Sequence, residues 1–359
     1  MLAQLAAVSR DIQRTLMADD FTAGILPEPL KDGVLAYPSR GGKGLRPALL
    51  LWCCGVFDAN LDRALRVAAA VEIYHIWTLV HDDIIDNDDL RRGAPSVHEL
   101  VRRSALNDNG TMPAETAKAL GVNFAILAGD IQQGWSNQLI LSGVDDGLPG
   151  DVAIAILRRL NGVVNPGLIS GEALDVAFEQ LPFAAISSTD ILGMLTLKTG
   201  LLLRFAAESG AMIGLGVDDP GNSTVRRLGD MAEKAGVAFQ IRDDLIGMFG
   251  DEEQLGKPVG SDLEQGKRTL LIISALERLE DTDRAFLQAQ IGKAGIADDD
   301  FRRVQQLLRK CGVVADLETR IDTMIGEALA AIGELPDNDY RTLLEQWLRF
   351  VADWTRYEE

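Results

Sequence analysis

Almost every stretch of this sequence between Gly and Pro residues has the composition and spacing of an α-helix. Ala, Leu, Glu and Arg dominate, and runs that alternate β-branched with polar residues are absent. The longer helices are predicted over residues 2–18, 61–87, 114–141, 151–179, 187–214 and 222–249. Residues 27–33 and 91–113 contain Pro, and we predict that both are loops. The loop at 91–113 is also a candidate lid. We therefore predict an all-α fold, a single large helical bundle domain over residues 1–359.

Composition narrows the possible partners. A formal net charge of −19 argues against nucleic acid, since binding it needs a basic face. Three Cys residues are too few for a disulfide framework or a zinc site. The N-terminus lacks the pattern of a signal peptide, and no apolar run reaches the ~18 residues of a membrane span. We expect a cytoplasmic protein with no membrane span.

The stretch Glu72–Gly93, EIYHIWTLVHDDIIDNDDLRRG, carries the first chemical signal. Helical spacing puts Asp82, Asp83 and Asp86 on neighbouring turns of one helix. Carboxylates this close repel one another unless a cation lies between them. A solvated acidic helix end is the alternative, but these residues follow a largely apolar run. Oxygen ligands without Cys or His favour Mg²⁺.

A second acidic cluster follows in VAFQIRDDLIGMFGD, residues 237–251. Asp243 and Asp244 lie near the end of a long predicted helix, with Asp251 beyond it. Two such clusters facing each other across a cavity would hold several Mg²⁺ ions, which bridge carboxylates to diphosphate oxygens.

Basic residues stand near both acidic clusters, although the chain is strongly acidic. They are Lys43, Arg46, Arg91, Arg92, Lys198, Lys257, Lys267 and Arg268. Each alone is typical of a solvated surface charge. Together they predict a site for two diphosphates, one held by metal and the other by Lys and Arg.

Four motifs occur in a characteristic order. RGGKGLRP, HDDIIDNDDLRRG, KTG and FQIRDDLIGMFGDEEQLGKPVGSDLEQGKRT resemble the trans-isoprenyl (polyprenyl) diphosphate synthases of the short-chain bacterial type, over about residues 40–290. The resemblance implies an isoprenoid-synthase bundle with a central cavity, and a homodimer. It also implies Mg²⁺-assisted, head-to-tail condensation of isopentenyl diphosphate with an allylic diphosphate to a short-chain all-trans product.

The resemblance also implies residue roles. Direct Mg²⁺ ligands would be Asp82, Asp86 and Asp243, with Asp83, Asp244, Asp262 and Asp130 as further or neighbouring carboxylates. Allylic diphosphate contacts would be Arg91, Lys198, Thr199, Gln240 and Lys257. Isopentenyl diphosphate contacts would be Lys43, Arg46, His75 and Arg92, and Lys267 would be a further phosphate-side residue. The catalytic set would be Asp82, Asp83, Asp86, Lys198, Asp243 and Asp244, with about three Mg²⁺ ions per site and Mn²⁺ as an alternative.

Two positions depart from the family pattern. Gly247 stands at the third acidic position of the second cluster, where Asp251 is a candidate substitute. Glu172 stands where many relatives carry Gln, near the expected metal site.

Product length is expected to depend on bulky residues upstream of Asp82. Tyr74 and Trp77 lie eight and five residues before it and are candidate floors for the growing chain. The family pattern favours geranylgeranyl diphosphate, with farnesyl diphosphate or a longer polyprenyl product as alternatives.

Two other activities remain as alternatives. A class I terpene cyclase shares the helical architecture and the first acidic motif, but its second motif would carry Asn and Ser or Thr ahead of Glu. A non-catalytic partner subunit of a synthase would have lost carboxylates or basic residues, whereas the first cluster is complete here.

Overall fold

The computed structural model describes residues 1–58, 60–108, 110–250 and 259–352, and these are predominantly helical. The α-helices are α1 (Leu2–Ala18), α2 (Glu28–Leu35), α3 (Leu45–Gly55), α4 (Asp62–Ile85), α5 (Val97–Asp108), α6 (Ala114–Ser142), α7 (Gly150–Arg159), α8 (Asn165–Gln180), α9 (Ser188–Leu195), α10 (Leu201–Leu215), α11 (Ser223–Phe249), α12 (Ser261–Gln265), α13 (Leu270–Arg278), α14 (Asp281–Gln290), α15 (Asp298–Lys310), α16 (Val313–Ile332) and α17 (Asp339–Ala352). Two π-helical segments, Leu160–Val164 and Thr196–Gly200, join α7 to α8 and α9 to α10. The strands β1 (Leu90–Arg91) and β2 (Ala94–Pro95) pair as a short antiparallel hairpin. The prediction of an all-α fold is confirmed.

The predicted loop at 27–33 is wrong, because α2 begins there. Pro27 is the N-cap residue and Pro29 lies in the first turn. A proline at a helix start loses no intrahelical hydrogen bond, and its fixed φ suits the helix. The prolines therefore mark where this helix begins.

The predicted loop at 91–113 is also wrong over most of its length, because it contains α5. This helix packs against α6 and α2 and buries Val97 and Val101. The buried Glu99 carboxylate accepts hydrogen bonds from Arg102 and Arg103, which lie one turn further on. The segment is therefore mainly a helix docked on α2 and α6, and its role as a lid stays a prediction.

The described residues form two compact units. The first comprises Met1–Leu157 and Ser209–Pro220. Its central helix, α4, packs along α6 and also contacts α1 and α3. The second half of α10 lies directly against α3, since a Cβ added at Gly210 would lie 2.1 Å from the Leu50 carbonyl oxygen. This packing fixes α4, which carries the first acidic cluster.

The second unit comprises Arg158–Glu208 and the described residues from Gly221 onward. Its long helix α11 packs against α16, α17 and the π-helical segment Thr196–Gly200. The Asn222 side chain caps α11 by accepting hydrogen bonds from the backbone N–H groups of Thr224 and Val225. The π-helical segment, which carries Lys198, is thereby placed against α11. The single domain over 1–359 and the central cavity stay predictions.

One continuous helical stretch, Gly150–Gln180, is long and apolar enough by length and composition to cross a membrane, and 33% of that window is buried. Core helices meet the same test. Two carboxylates of this stretch, Glu172 and Asp175, pair with Lys198. Charged residues are costly in a bilayer core. These charges argue against a membrane span for this stretch.

Candidate active site

The first acidic cluster lies at the carboxyl end of α4. Asp82 and Asp83 belong to its last turn, and Asp86 is its C-cap residue. Negative side chains at this position are repelled by the partial negative charge of the helix end, and this last turn contains no basic residue. The cluster therefore requires positive charge from outside the helix.

Asp83 obtains that charge from within the protein. Its side chain is 1% exposed. The Tyr37 hydroxyl donates to one carboxylate oxygen, and Arg91 Nε donates to the other at 2.7 Å. Burial raises the pKa of Asp83, while Arg91 and Tyr37 oppose that shift. Both oxygens are thus engaged, so Asp83 holds Arg91 in place.

Asp82 differs from its neighbour. Its side chain is 23% exposed, and Arg91 Nη2 approaches it at 3.4 Å. Asp86 is also partly exposed. Solvent therefore reaches the two carboxylates predicted as direct metal ligands in this unit.

A second cluster of charges surrounds Glu72, two to three turns before Asp82 on α4. Burial raises the pKa of Glu72, and the charges of Arg46 and Arg92 lower it. Burial lowers the pKa of Arg46 to about 10. Arg92 also donates to the Gly41 carbonyl oxygen at 2.7 Å. A buried carboxylate thus lies close to two guanidinium groups beside the Gly-rich loop.

His75 lies one turn after Glu72. Its pKa is well below the usual value because of burial and the charges of Arg46, Arg92 and Arg91. The imidazole is therefore neutral near pH 7. Of the four predicted isopentenyl diphosphate contacts, Arg46, His75 and Arg92 are electrostatic neighbours, and Lys43 is exposed on the adjoining loop.

The Gly-rich loop is anchored by α1. Gly41 and Gly44 have φ values of +70° and +66°, which favour glycine. Ser9 Oγ donates to the Gly42 carbonyl oxygen at 2.6 Å, and Gln13 Nε2 donates to the Ser39 carbonyl oxygen at 2.6 Å. The loop between α2 and α3 thus has a fixed backbone.

The two candidate floor residues pack together on α4. Tyr74 and Trp77 are both buried, and their ring centroids lie 4.8 Å apart. Trp77 also makes an edge contact with His81 at 5.7 Å between centroids. Their role in chain length stays a prediction.

In the second unit, Lys198 is the basic centre. Its Nζ lies 2.6 Å from Asp175 Oδ2 and 2.9 Å from Glu172 Oε2, both on α8. A Cβ added at Gly171 would lie 2.5 Å from the Lys198 backbone nitrogen, so α8 and the π-helical segment are in close contact. The position of Lys198 is thus fixed by backbone packing as well as by charge.

The second acidic cluster on α11 is linked to that segment by hydrogen bonds. Thr199 Oγ1 donates to Gln240 Oε1 at 3.4 Å, and Gln240 Nε2 donates to Asp244 Oδ1 at 3.2 Å. The pKa of Asp244 is well above its usual value because of burial and then the charges of Asp262, Asp243 and Asp175. These carboxylates are therefore close enough to repel one another.

Gly247 replaces the expected third carboxylate of that cluster. A Cβ added at Gly247 would lie 3.4 Å from Asp262 Oδ2. The Asp262 carboxylate thus lies where a side chain from position 247 would begin. Asp251 and Lys257 lie outside the described residues. Lys267 adjoins Asp262, since its backbone N–H donates to the Asp262 carbonyl oxygen at 3.0 Å.

Several contact residues were missed by the sequence reasoning. The sequence did contain a sign that Glu72 contributes to the site, because it is a carboxylate three positions before His75 in an apolar helix. The sign for Asp175 was weaker, namely its position three residues after Glu172. For Tyr37 the sequence offered only its place before the Gly-rich loop. Asp130, a predicted neighbouring carboxylate, is exposed on α6.

The carboxylates suit a hard divalent cation by their chemistry. Within the described ranges, no group of three or more His, Cys, Asp or Glu residues is assembled to hold a metal. Mg²⁺ is commonly bound by one or two carboxylates, with waters and substrate phosphates completing its shell. Asp82 with Asp86, and Asp243, provide oxygen ligands in that number.

Comparisons with known proteins agree with these features. A model of the polyprenyl synthetase family matches residues 28–308. A geranylgeranyl diphosphate synthase of Saccharolobus solfataricus is 31% identical over 322 residues, covering 88% of this chain and 86% of that relative. A geranylfarnesyl diphosphate synthase of Aeropyrum pernix is 30% identical, covering 92% of this chain and 95% of that relative.

The structural likeness extends over nearly the whole chain. The crystal structure of geranylgeranyl pyrophosphate synthase from Corynebacterium glutamicum, complexed with isoprenyl diphosphate and magnesium, has a TM-score of 0.81 at 27% identity, with 97% of this chain and 98% of that chain covered. The fold and these relatives define the class of the protein, a prenyltransferase. Within that class, the chain belongs to the polyprenyl synthetase family. Diphosphate binding in this family involves a divalent metal.

Proposed function

We propose that this enzyme condenses isopentenyl diphosphate with an allylic diphosphate, head to tail, to a short-chain all-trans product. The supporting observation is that two charged features lie along α4, one suited to an anion directly and the other suited to metal ions that bind an anion. The guanidinium groups of Arg46 and Arg92 surround Glu72, and the partly exposed Asp82 and Asp86 follow later. His75 and Asp82 are about 10 Å apart along the helix axis. Two diphosphates can therefore be bound by two kinds of charge.

In this proposal the residue roles follow the predictions. Asp82, Asp86 and Asp243 would hold Mg²⁺ ions, about three per site with Mn²⁺ as an alternative, and the bound metal would supply positive charge against the leaving diphosphate. The isopentenyl diphosphate is bound by Lys43, Arg46, His75 and Arg92. The allylic diphosphate is bound by Arg91, Lys198, Thr199, Gln240 and Lys257, with Lys267 on the phosphate side.

The reaction requires no protein nucleophile. Ionisation of the allylic substrate breaks its C–O bond and leaves an allylic cation. The double bond of isopentenyl diphosphate attacks that cation, and the released diphosphate takes the proton that is then lost. The chain's part is to bind both diphosphates and to stabilise the departing negative charge. Neutral His75 suits a hydrogen-bonding role in this scheme.

We favour geranylgeranyl diphosphate as the product, with farnesyl diphosphate or a longer chain as alternatives. Tyr74 lies about 80° from Asp82 around the helix and Trp77 about 140°, at about 100° per residue. Tyr74 is therefore the better aligned floor. Of the two relatives above, one is named for geranylgeranyl diphosphate, the expected product, and the other for the longer geranylfarnesyl diphosphate.

A homodimer in the cytoplasm completes the proposal. In the first unit, Ile126, Leu127 and Leu141 of α6 are 42%, 48% and 47% exposed, and a second copy would bury them. Large exposed apolar side chains that cluster are typical of an interface. A terpene cyclase is disfavoured by the guanidinium cluster at Glu72, and a non-catalytic subunit by the retained carboxylates.

A product assay tests this function. The purified chain is supplied with Mg²⁺, labelled isopentenyl diphosphate and a C5, C10 or C15 allylic starter, and chain lengths are resolved after dephosphorylation. We expect elongation that stops at C20. A stop at C15 would place the floor nearer the metal, and products beyond C25 would remove Tyr74 and Trp77 from that role. No elongation with any starter would refute the proposed function.

A further inference from the structure

Glu172 is the departure from the family pattern that the proposed reaction leaves without a role. It lies on α8, one turn before Asp175, and both carboxylates point to the same ammonium group of Lys198 at 2.9 and 2.6 Å. The three side chains are 25%, 19% and 26% exposed, in the order Glu172, Asp175 and Lys198. Solvent therefore screens the charges of these three side chains only in part.

The charges of these three side chains do not balance. Lys198 contributes one positive charge and the two carboxylates two negative ones, so the group carries a net charge of −1. Asp175 also raises the pKa of Asp244, so this negative group is close to the second acidic cluster. A diphosphate that approaches Lys198 thus meets two carboxylates already bound to its ammonium group. With Gln at 172, the same group would be neutral.

We propose that Glu172 is a positioning residue that keeps Lys198 in an ion pair, so that a diphosphate has to displace its carboxylate. Glu172 thereby weakens the diphosphate subsite at Lys198 when little divalent metal is present. This inference rests on the proposed role of Lys198 as an allylic diphosphate contact. It concerns the strength of binding and leaves the chemical step unchanged.

Calorimetric titration of the full chain with inorganic pyrophosphate, without divalent metal, tests the inference. Glu172→Gln keeps the shape of the side chain and is expected to bind pyrophosphate about three- to tenfold more tightly than the wild type. Glu172→Asp, which retains the charge, is expected to remain within about twofold of the wild type. Glu179→Gln is the matched control, since it removes one charge about 10 Å further along α8.

A double-mutant cycle separates the contact from general charge. In a Lys198→Gln background, Glu172→Gln is expected to change pyrophosphate affinity by less than about twofold. An equal gain in that background would overturn the proposal, because the gain would then not depend on Lys198. Weaker pyrophosphate binding by Glu172→Gln in the presence of Mg²⁺ would also overturn it, because Glu172 would then be supporting the metal.

Steady-state kinetics give an independent readout. At limiting Mg²⁺, Glu172→Gln is expected to lower KM for the allylic diphosphate about threefold and to leave kcat unchanged. A fall in kcat at unchanged KM would contradict a role in binding. If the wild type makes no product, the proposed function fails, whereas the pyrophosphate titrations still decide the role of Glu172.

Discussion

The candidate-site residues of the two units balance charge in different ways. In the first, arginines accompany the buried carboxylates: Arg46 and Arg92 flank Glu72, and Arg91 pairs with Asp83. In the second, Glu172 and Asp175 share the ammonium group of Lys198, and repulsion from neighbouring carboxylates helps to raise the pKa of Asp244. The cluster around Glu72 is thus suited to an anion, whereas the second acidic cluster is suited to cations.

Within the first unit, two kinds of carboxylate look alike in sequence. Asp83 is buried and bound by Tyr37 and Arg91, whereas Asp82 is partly exposed. We therefore predict that Asp83 acts on substrate only through Arg91. Asp82, Asp86 and Asp243 remain the residues on which metal binding is predicted to depend.

The largest effect is expected from Asp82→Asn. Replacing a metal-binding carboxylate removes electrostatic stabilisation of the leaving group, and we expect kcat to fall about 10²–10³-fold. Asp89→Asn, which removes the same charge from an exposed position, is the control and should stay within about twofold. Steady-state assays at saturating Mg²⁺ measure both. If the kcat of Asp82→Asn stays within tenfold of the wild-type kcat, the prediction that Asp82 binds metal whereas Asp83 is structural would be wrong.

Tyr37→Phe tests whether Asp83 is structural. The change deletes the hydroxyl that donates to a buried carboxylate oxygen, so we expect the free energy of unfolding to fall by about 1–3 kcal/mol. Urea unfolding at pH 7 measures this. Tyr340→Phe, at a partly exposed tyrosine of α17, should change it by less than about 0.5 kcal/mol. Equal effects of the two variants would contradict the role assigned to Asp83.

The cationic surroundings of His75 predict a pH dependence of stability. The folded-state pKa of His75 lies well below its usual value. As the pH falls, the unfolded chain therefore protonates His75 at a higher pH than the folded chain does. Stability is lost as the pH falls below about 6.5. We expect His75→Gln to reduce that slope by up to about 1.4 kcal/mol per pH unit. Unfolding free energies between pH 5 and 8 measure it, and identical slopes below pH 6.5 would contradict the prediction.

The smallest effect is expected at Gly247, in the acidic unit. Gly247→Ala should stabilise α11 by about 0.5–1 kcal/mol through helix propensity. Gly247→Asp should be less stable than the Ala variant by about 1 kcal/mol without metal, because its carboxylate would approach Asp262. Thermal unfolding of the two variants gives the difference, which Mg²⁺ should reduce. An Asp variant as stable as the Ala variant would show that the second cluster accepts further negative charge.

The local sequence pattern of apolar and charged residues was enough to predict the long helices and both acidic clusters. The spacing of apolar residues identified α4 and α11, and the carboxylates near their ends followed directly. Local pattern failed at α2 and α5, because Pro27, Pro29 and Pro95 were read as loop residues although they lie at or near helix starts. Both helices are held by packing against α6.

What could not be predicted depends on contacts between distant residues. Asp82 and Asp83 are adjacent in sequence, and Tyr37, 46 positions before Asp83, helps to make one of them structural. The charge balance at Lys198 likewise depends on distant residues of α8, since Glu172 and Asp175 precede Lys198 by 26 and 23 positions. Neither relation leaves a periodic signal in the sequence.

The anchoring of the Gly-rich loop by α1 affects how the protein should be produced in the laboratory. The family match begins at residue 28, whereas Ser9 and Gln13 hold the loop from within α1. An expression plasmid designed around the matched segment would remove both donors and uncover the apolar surface against which Leu16 packs. A recombinant protein for assay or crystallisation should therefore start at Met1, and any purification tag should be removable from that end.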